Sequence, residues 1–192
     1  MTIAMSPPIS FLPAHTEEQV AAIADLAREI WYEYYVPLIG RLQVDYMVAK
    51  FQSAAAMLEQ VRSGYEYFMM QQDGALIGYL AVQPQPDGAR LFISKLYLHG
   101  NARGRGTGRA AMEFIEKIAG QRGLGLLWLT VNKGNPAVQA YQRLGFQIAE
   151  AIVIDIGNGY VMDDFRMEKR LPATFPATPA DPRQSRQSGQ SG

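Results

Sequence analysis

Six residues, Arg103, Gly104, Arg105, Gly106, Thr107 and Gly108, close an apolar, strand-like run (Leu91 to Leu98) and open a helix-like one (Arg109 to Ile118). Glycines at a strand-to-helix turn allow positive φ and let backbone N–H groups converge on an anion, while the first helical turn adds the positive end of its dipole. The pattern predicts a diphosphate cradle inside a strand–loop–helix unit. Local charge agrees: from Asn101 to Ala149 the bases Arg103, Arg105, Arg109, Lys117, Arg122, Lys133 and Arg143 face only two acids, Glu113 and Glu116. For six residues alone, a solvated glycine-rich connector is the plain alternative.

Three phosphate-binding designs use such a loop. A Walker loop needs Gly-Lys followed by Ser or Thr, and here Gly108 is followed by Arg109 and Ala110. A dinucleotide fold fits Gly106-x-Gly108-x-x-Ala111 but needs an acid near the end of the next strand for a ribose hydroxyl. The next strand-like run, Leu124 to Val131, leads into Asn132 and Lys133, and no Asp or Glu occurs from Lys117 to Ala149. The third design is an acetyl-CoA site. Here the chain resembles the GNAT superfamily of acyl-CoA-dependent N-acetyltransferases: Arg103-x-x-Gly106-x-Gly108 matches its pyrophosphate motif, and Leu127 to Val131, Asn135 to Ala137 and Ala140 to Phe146 match its second half in order. The resemblance runs from about Ile9 to Leu171. Its stretch Gly159 to Phe165 looks like the last hairpin of the bacterial polyamine acetyltransferase branch.

The resemblance implies an α/β (α+β) fold, with a central mixed, mostly antiparallel sheet of about six to seven strands flanked by helices. In such a fold one parallel pair is splayed at the cofactor site. It implies one domain, residues 1–171, followed by a polar tail, 172–192, whose Pro, Thr, Ser, Gln and Gly content predicts disorder. It further implies acetyl-CoA as co-substrate and Tyr141 as the general acid that protonates the departing thiolate. Pantetheine contacts fall to the backbone of Tyr97 and Leu98 and to Asn135, and the pyrophosphate to Arg103, Gly104, Arg105, Gly106, Thr107 and Gly108. The acceptor is expected to be a small primary amine, polyamine-like by the last hairpin. A non-catalytic acyl-CoA-binding module and a protein or peptide N-acetyltransferase are the alternatives, and a homodimer stays open.

Periodicity places the elements. Thr16 to Gln19 has capping-box form and leads into a helix from about Glu17 to Tyr35. After Pro37 and Gly40 come helices from about Leu42 to Phe51 and beyond Ser53. Strands follow at Glu66 to Gln72 and Ala75 to Gln83, turned by Asp73-Gly74, then at Arg90 to Leu98. A helix (Gly108 to Ala119), a strand (Leu126 to Val131), a helix (Asn135 to Leu144) and a hairpin (Phe146 to Ile156, Tyr160 to Lys169) complete the chain.

Acyl transfer to an amine raises two proton problems. An alkylammonium of pKa about 10.4 is about 0.1% neutral at pH 7.4, a cost of roughly 4 kcal/mol unless a base or desolvation helps. Glu33, Glu66, Asp163 and Asp164 are the candidate bases, left open at this level. Aromatic residues concentrate in the helical hairpin, and Trp31, Tyr34 and Tyr46 with Glu33 are the expected acceptor-binding set, by cation–π attraction and charge.

Composition narrows the rest. The net charge is zero, so no overall field recruits nucleic acid. With no cysteine and two histidines, neither a thiol nucleophile nor a histidine-based zinc site is expected, and no metal is assigned. No run reaches the 18 or so apolar residues that span a bilayer, and the first eight residues lack a leader pattern, so no membrane partner and a cytoplasmic location are expected.

Overall fold

The computed structural model describes residues 8–172. In chain order the elements are β1 (Ser10–Pro13), α1 (Glu17–Tyr34), α2 (Val36–Ile39), α3 (Arg41–Met47), a π-helical turn (Val48–Gln52) and α4 (Ala54–Arg62). Then come β2 (Glu66–Gln72), β3 (Ala75–Pro84), β4 (Arg90–Leu98), a 3-10 turn (Gly100–Ala102), α5 (Thr107–Gln121), β5 (Leu126–Asn132), α6 (Ala137–Arg143), β6 (Gln147–Gly157) and β7 (Tyr160–Arg170). The seven strands form one sheet in the order β1-β2-β3-β4-β5-β7-β6, antiparallel except for β4 against β5. This is the mixed, mostly antiparallel architecture expected. Apart from Pro172, the expected polar tail lies outside the described residues. No described helix is long and apolar enough to cross a membrane.

Local chemistry accounts for several boundaries. Thr16 Oγ1 accepts from the Gln19 N–H at 3.2 Å and Gln19 Oε1 accepts from the Thr16 N–H at 3.0 Å, a reciprocal cap worth about 1 kcal/mol. Asp73 and Gly74 both hold positive φ, +52° and +76°, which the β2–β3 turn requires and which Asp and Gly tolerate best. β1 was not expected. It is four residues long, too short for a periodic signal, and ends in Pro13, which an outermost strand accommodates. The helix expected from Leu42 to Phe51 is instead α3 followed by the π turn, with Gly40 at φ +80° separating α2 from α3.

Apolar residues cover both faces of the central strands. Leu80, Val82, Leu91, Ile93 and Leu127 pack under Ala111, Met112, Ile115 and Ile118 of α5. Tyr67, Met69, Tyr79 and Ala81 pack under Val20, Ile23, Ala27 and Ile30 of α1 and Met57 of α4. A sheet sandwiched in this way reads as near-continuous apolar runs.

Two irregularities in β4 shape the centre of the molecule. Its ladder with β5 covers only Arg90↔Leu126, Leu91↔Leu127 and Phe92↔Trp128, after which the strands part while β5 stays paired with β7 as far as Asn132↔Asp164. Its register with β3 moves from Ala81↔Lys95 to Val82↔Ile93, so Ser94 is an extra, bulged residue.

Candidate active site

The parted strands leave amides pointing into the gap. The His99 N–H bonds the Ile77 carbonyl at 2.9 Å, and the β3–β4 register then directs the Tyr97 N–H to β3 as well. Successive N–H groups alternate between the two edges of a strand, so those of Leu96 and Leu98 face the opening toward β5. Of the two residues expected to bind through their backbone, Leu98 offers its amide to the gap. Tyr97 presents its half-buried ring.

Two cavities meet in this opening. A channel of about 260 Å³ runs past Arg103, Gly108, Leu98, Tyr34 and Ala140. A larger cavity of about 400 Å³ lies against Trp31, Met47, Phe51, Gln52, Lys95, Thr130 and Asp164. Tyr35, Leu96, Tyr97, Asn135, Ala137 and Tyr141 border both, and Tyr141 therefore stands where a group carried down the channel would meet one held in the cavity.

At the mouth of the channel the glycine loop turns into α5. Gly104 and Gly106 hold φ of +73° and +83°, and a Cβ on either would project into open space. The first helical bond joins the Ala110 N–H to the Gly106 carbonyl at 3.0 Å, so the N–H groups of Thr107, Gly108 and Arg109 precede the helical ladder, and no acid occupies the first turn. Arg103 fastens the loop to β4: its Nε donates to the Leu98 carbonyl at 3.0 Å and its guanidinium lies 4.8 Å from the centre of the Tyr34 ring. Arg103 also pairs with Glu33 at 3.3 Å, an exposed contact of small energetic value.

Asn135 is buried and has several partners. Its Oδ1 accepts from the Ala137 N–H at 2.8 Å, capping α6, and from the Tyr34 hydroxyl at 3.1 Å, while Nδ2 donates to the Tyr35 hydroxyl at 3.4 Å. The asparagine thus locks α6 to the end of α1 and holds Tyr141, one turn further on, at the junction. The Tyr141 ring rests edge-on against Phe146, 5.6 Å between centres. Burial pushes its phenol up to about 12, so it keeps its proton across the working pH range.

The other expected residues are distributed unevenly. Trp31 is buried at the cavity wall, stacked on Tyr35 at 4.3 Å. Tyr34 lines the channel, and Glu33 faces the loop through Arg103. The Tyr46 hydroxyl donates to the Ile156 carbonyl and its ring packs on Tyr160. The structure does not gather Glu33 and Tyr46 around one cage with Trp31.

Of the four candidate bases, three are engaged elsewhere. Glu66 forms a two-pronged pair with Arg122 at 2.6 and 2.8 Å, Asp163 pairs with Lys133, and Glu33 with Arg103. Asp164 is 6% exposed and borders the cavity, and burial raises its carboxyl above the usual range against a bond from Thr130 that lowers it.

Lys95 is a wall residue that the sequence reading did not single out. It is 5% exposed, and burial lowers its ammonium from 10.5 to about 8. A signal was present: read in sequence alone, the alternation of Leu91, Ile93, Lys95 and Tyr97 sets one ionisable group among apolar residues of a strand. The lowered value is a stability statement. Below about pH 8 both folded and unfolded chains hold the proton and the full cost of burying it is present; between 8 and 10.5 only the unfolded chain holds it, so stability rises with pH. Lys95→Met is therefore expected to stabilise the fold by about 3 kcal/mol at pH 7, with the advantage shrinking toward pH 10.5. Urea unfolding at the two pH values measures this, and a pH-independent difference would contradict it.

Sequence and fold comparisons give the family and the fold. The acetyltransferase (GNAT) family model matches residues 20–146, and the chain belongs to that family. It is 41% identical to the streptothricin acetyltransferase of Streptomyces lavendulae over 75 residues, which are 38% of this chain and 40% of that protein. The match thus spans well under half of that relative. Among solved structures, the PaiA N-acetyltransferase of Thermoplasma acidophilum, in complex with coenzyme A, superposes with a TM-score of 0.71 at 21% identity, over 85% of this chain and 99% of that one. A nourseothricin acetyltransferase superposes with a TM-score of 0.52 at 28% identity, over 58% of this chain and 68% of that one.

Proposed function

We propose that this chain transfers an acetyl group from acetyl-CoA directly to a primary amine of a small molecule, with no covalent enzyme intermediate. The observation that carries this reading is the meeting of a channel from the glycine loop and a separate cavity at Tyr141. The diphosphate rests on the amides of the loop and of the first turn of α5, with Arg103, Gly104, Arg105, Gly106, Thr107 and Gly108 in contact. The pantetheine arm follows the channel beside Leu98, Tyr97 and Asn135.

The chemistry then follows. Asp164, through a water, takes the proton that the ammonium must lose, and its raised carboxyl makes it a better base than an ordinary aspartate. The amine nitrogen attacks the thioester carbon, whose oxygen charge is met by a free β4 amide. The C–S bond breaks, the attacking nitrogen gives up its second proton to become the amide, and the thiolate takes one proton at sulfur, so this step moves one proton from nitrogen to sulfur overall. Against a thiol of about 8.5, a phenol at about 12 transfers its proton uphill by roughly 5 kcal/mol, so Tyr141 contributes first as a hydrogen-bond donor to the developing sulfur charge.

The last hairpin suggests a polyamine acceptor. The similarity to streptothricin and nourseothricin acetyltransferases favours a second reading, a larger, antibiotic-type amine. Acetyl-CoA-dependent thiol release across a panel of polyamines, aminoglycosides, streptothricins and amino acids tests the function, and no release with any amine would refute it. In the same assay Asp164→Asn is expected to lower kcat/KM about 100-fold and to remove the acidic limb of its pH profile. An unchanged limb would assign the base elsewhere.

A further inference from the structure

The larger cavity that Asp164 borders is also lined by three side chains able to donate hydrogen bonds, Lys95, Gln52 and Gln60. The bulge at Ser94 accounts for the lysine: Leu91 and Ile93 pack into the α5 face, whereas past the extra residue Leu96 and Leu98 take that face and Tyr97 packs on the α1 side. Lys95, two residues before Tyr97, is thereby turned from the apolar core into the cavity, where it is 5% exposed and has no ion-pair or hydrogen-bond partner among the described residues. Two glutamines border the same cavity. The Gln52 Oε1 accepts from the Tyr79 hydroxyl at 3.0 Å and the Gln60 Oε1 accepts from the Tyr67 hydroxyl, so each amide presents its –NH₂ as the remaining group. Gln52 is itself 3% exposed.

A buried ammonium with no counter-ion is costly unless an anion completes it. An ammonium that shares a cavity with two amide donors matches the chemistry of a carboxylate's oxygens. A bare polyamine would instead bring a second cation to it.

We infer that Lys95, with Gln52 and Gln60, forms a carboxylate-binding subsite, and that the acceptor is an amine bearing an acidic group, its amine toward Asp164 and Tyr141 and its carboxylate toward Lys95. This deepens the acetyl-transfer reading and rests on it for the role of the amine.

Matched pairs differing only in the carboxylate test it: L-lysine against cadaverine, and L-ornithine against putrescine, titrated calorimetrically into the CoA-saturated protein. In each pair the carboxylate-bearing member is expected to bind at least about tenfold more tightly. Lys95→Met is expected to lower that ratio at least about tenfold and Lys95→Arg to retain most of it, while a ratio within a pair is insensitive to general damage. Equal binding within both pairs, no binding of either amino acid, or an undiminished ratio in Lys95→Met overturns the subsite. Failure of acetyl-transfer itself is read separately, as absence of CoA binding or of thiol release; the same pair ratios are then taken on the protein without CoA, where they judge the subsite alone.

Discussion

Replacing Tyr141 by Phe is expected to lower kcat by about 10²–10⁴-fold while leaving the dissociation constant for CoA within about twofold. The separation follows from where the ring sits. The ring packs in a T-shaped contact on Phe146 and borders both cavities, contacts that phenylalanine keeps. Only the hydroxyl is lost, and the hydroxyl matters as negative charge develops on sulfur. The pH dependence offers a second check. A phenol held at about 12 does not titrate between pH 6 and 10, so Tyr141 adds no basic limb to the wild-type kcat profile in that range. Single-turnover acetyl transfer together with calorimetric titration of CoA measures both parts. A variant with unaltered turnover would make Tyr141 a packing residue. A wild-type chain that binds CoA without any turnover would make the protein a cofactor-binding module.

The second large effect is expected at Gly106, where Asp should weaken CoA binding at least about 100-fold. The backbone there is left-handed, φ +83°, and a new Cβ meets open space, so the side chain is directed outward and the fold loses only about 1 kcal/mol. Outward is where the diphosphate is proposed to lie. A carboxylate some 4 Å from a phosphate charge costs about 4 kcal/mol at an effective dielectric of 20, before salt screening. Gly106→Ala, with the same backbone strain and no charge, is the control and should weaken binding far less. Undiminished affinity in Gly106→Asp, with a native thermal melt, would show that the diphosphate does not rest on this turn.

Much of the architecture follows from neighbours along the chain. The capping box at Thr16, the Asp73-Gly74 turn and the glycines after β4 are local devices, whose conformational requirements a few residues reveal. Strands β2 to β5 and helix α5 were legible for the same reason: their apolar periods span enough residues to register. Neither β1 nor the division of the expected Leu42–Phe51 helix had such a signal, because a four-residue strand and a π turn are stabilised by what they pack against.

The candidate site divides along the same line. The loop from Arg103 to Gly108, the Asn135 cap and Tyr141 were visible because the turn geometry and helix starts they depend on are set within a few residues. Which carboxylate is free was not, since Glu33, Glu66 and Asp163 are engaged by Arg103, Arg122 and Lys133 from distant segments, leaving Asp164 at the cavity. Nor did composition reveal that Lys95 leaves the core face, because a single bulged residue reverses the alternation of every side chain after it. Residue order alone established a strand–loop–helix unit with glycines at its turn and the pieces of a phenol-bearing helix start. Long-range pairing decided the gap between β4 and β5 and the charges facing it, since burial and ion pairing depend on which surfaces the closed sheet brings together.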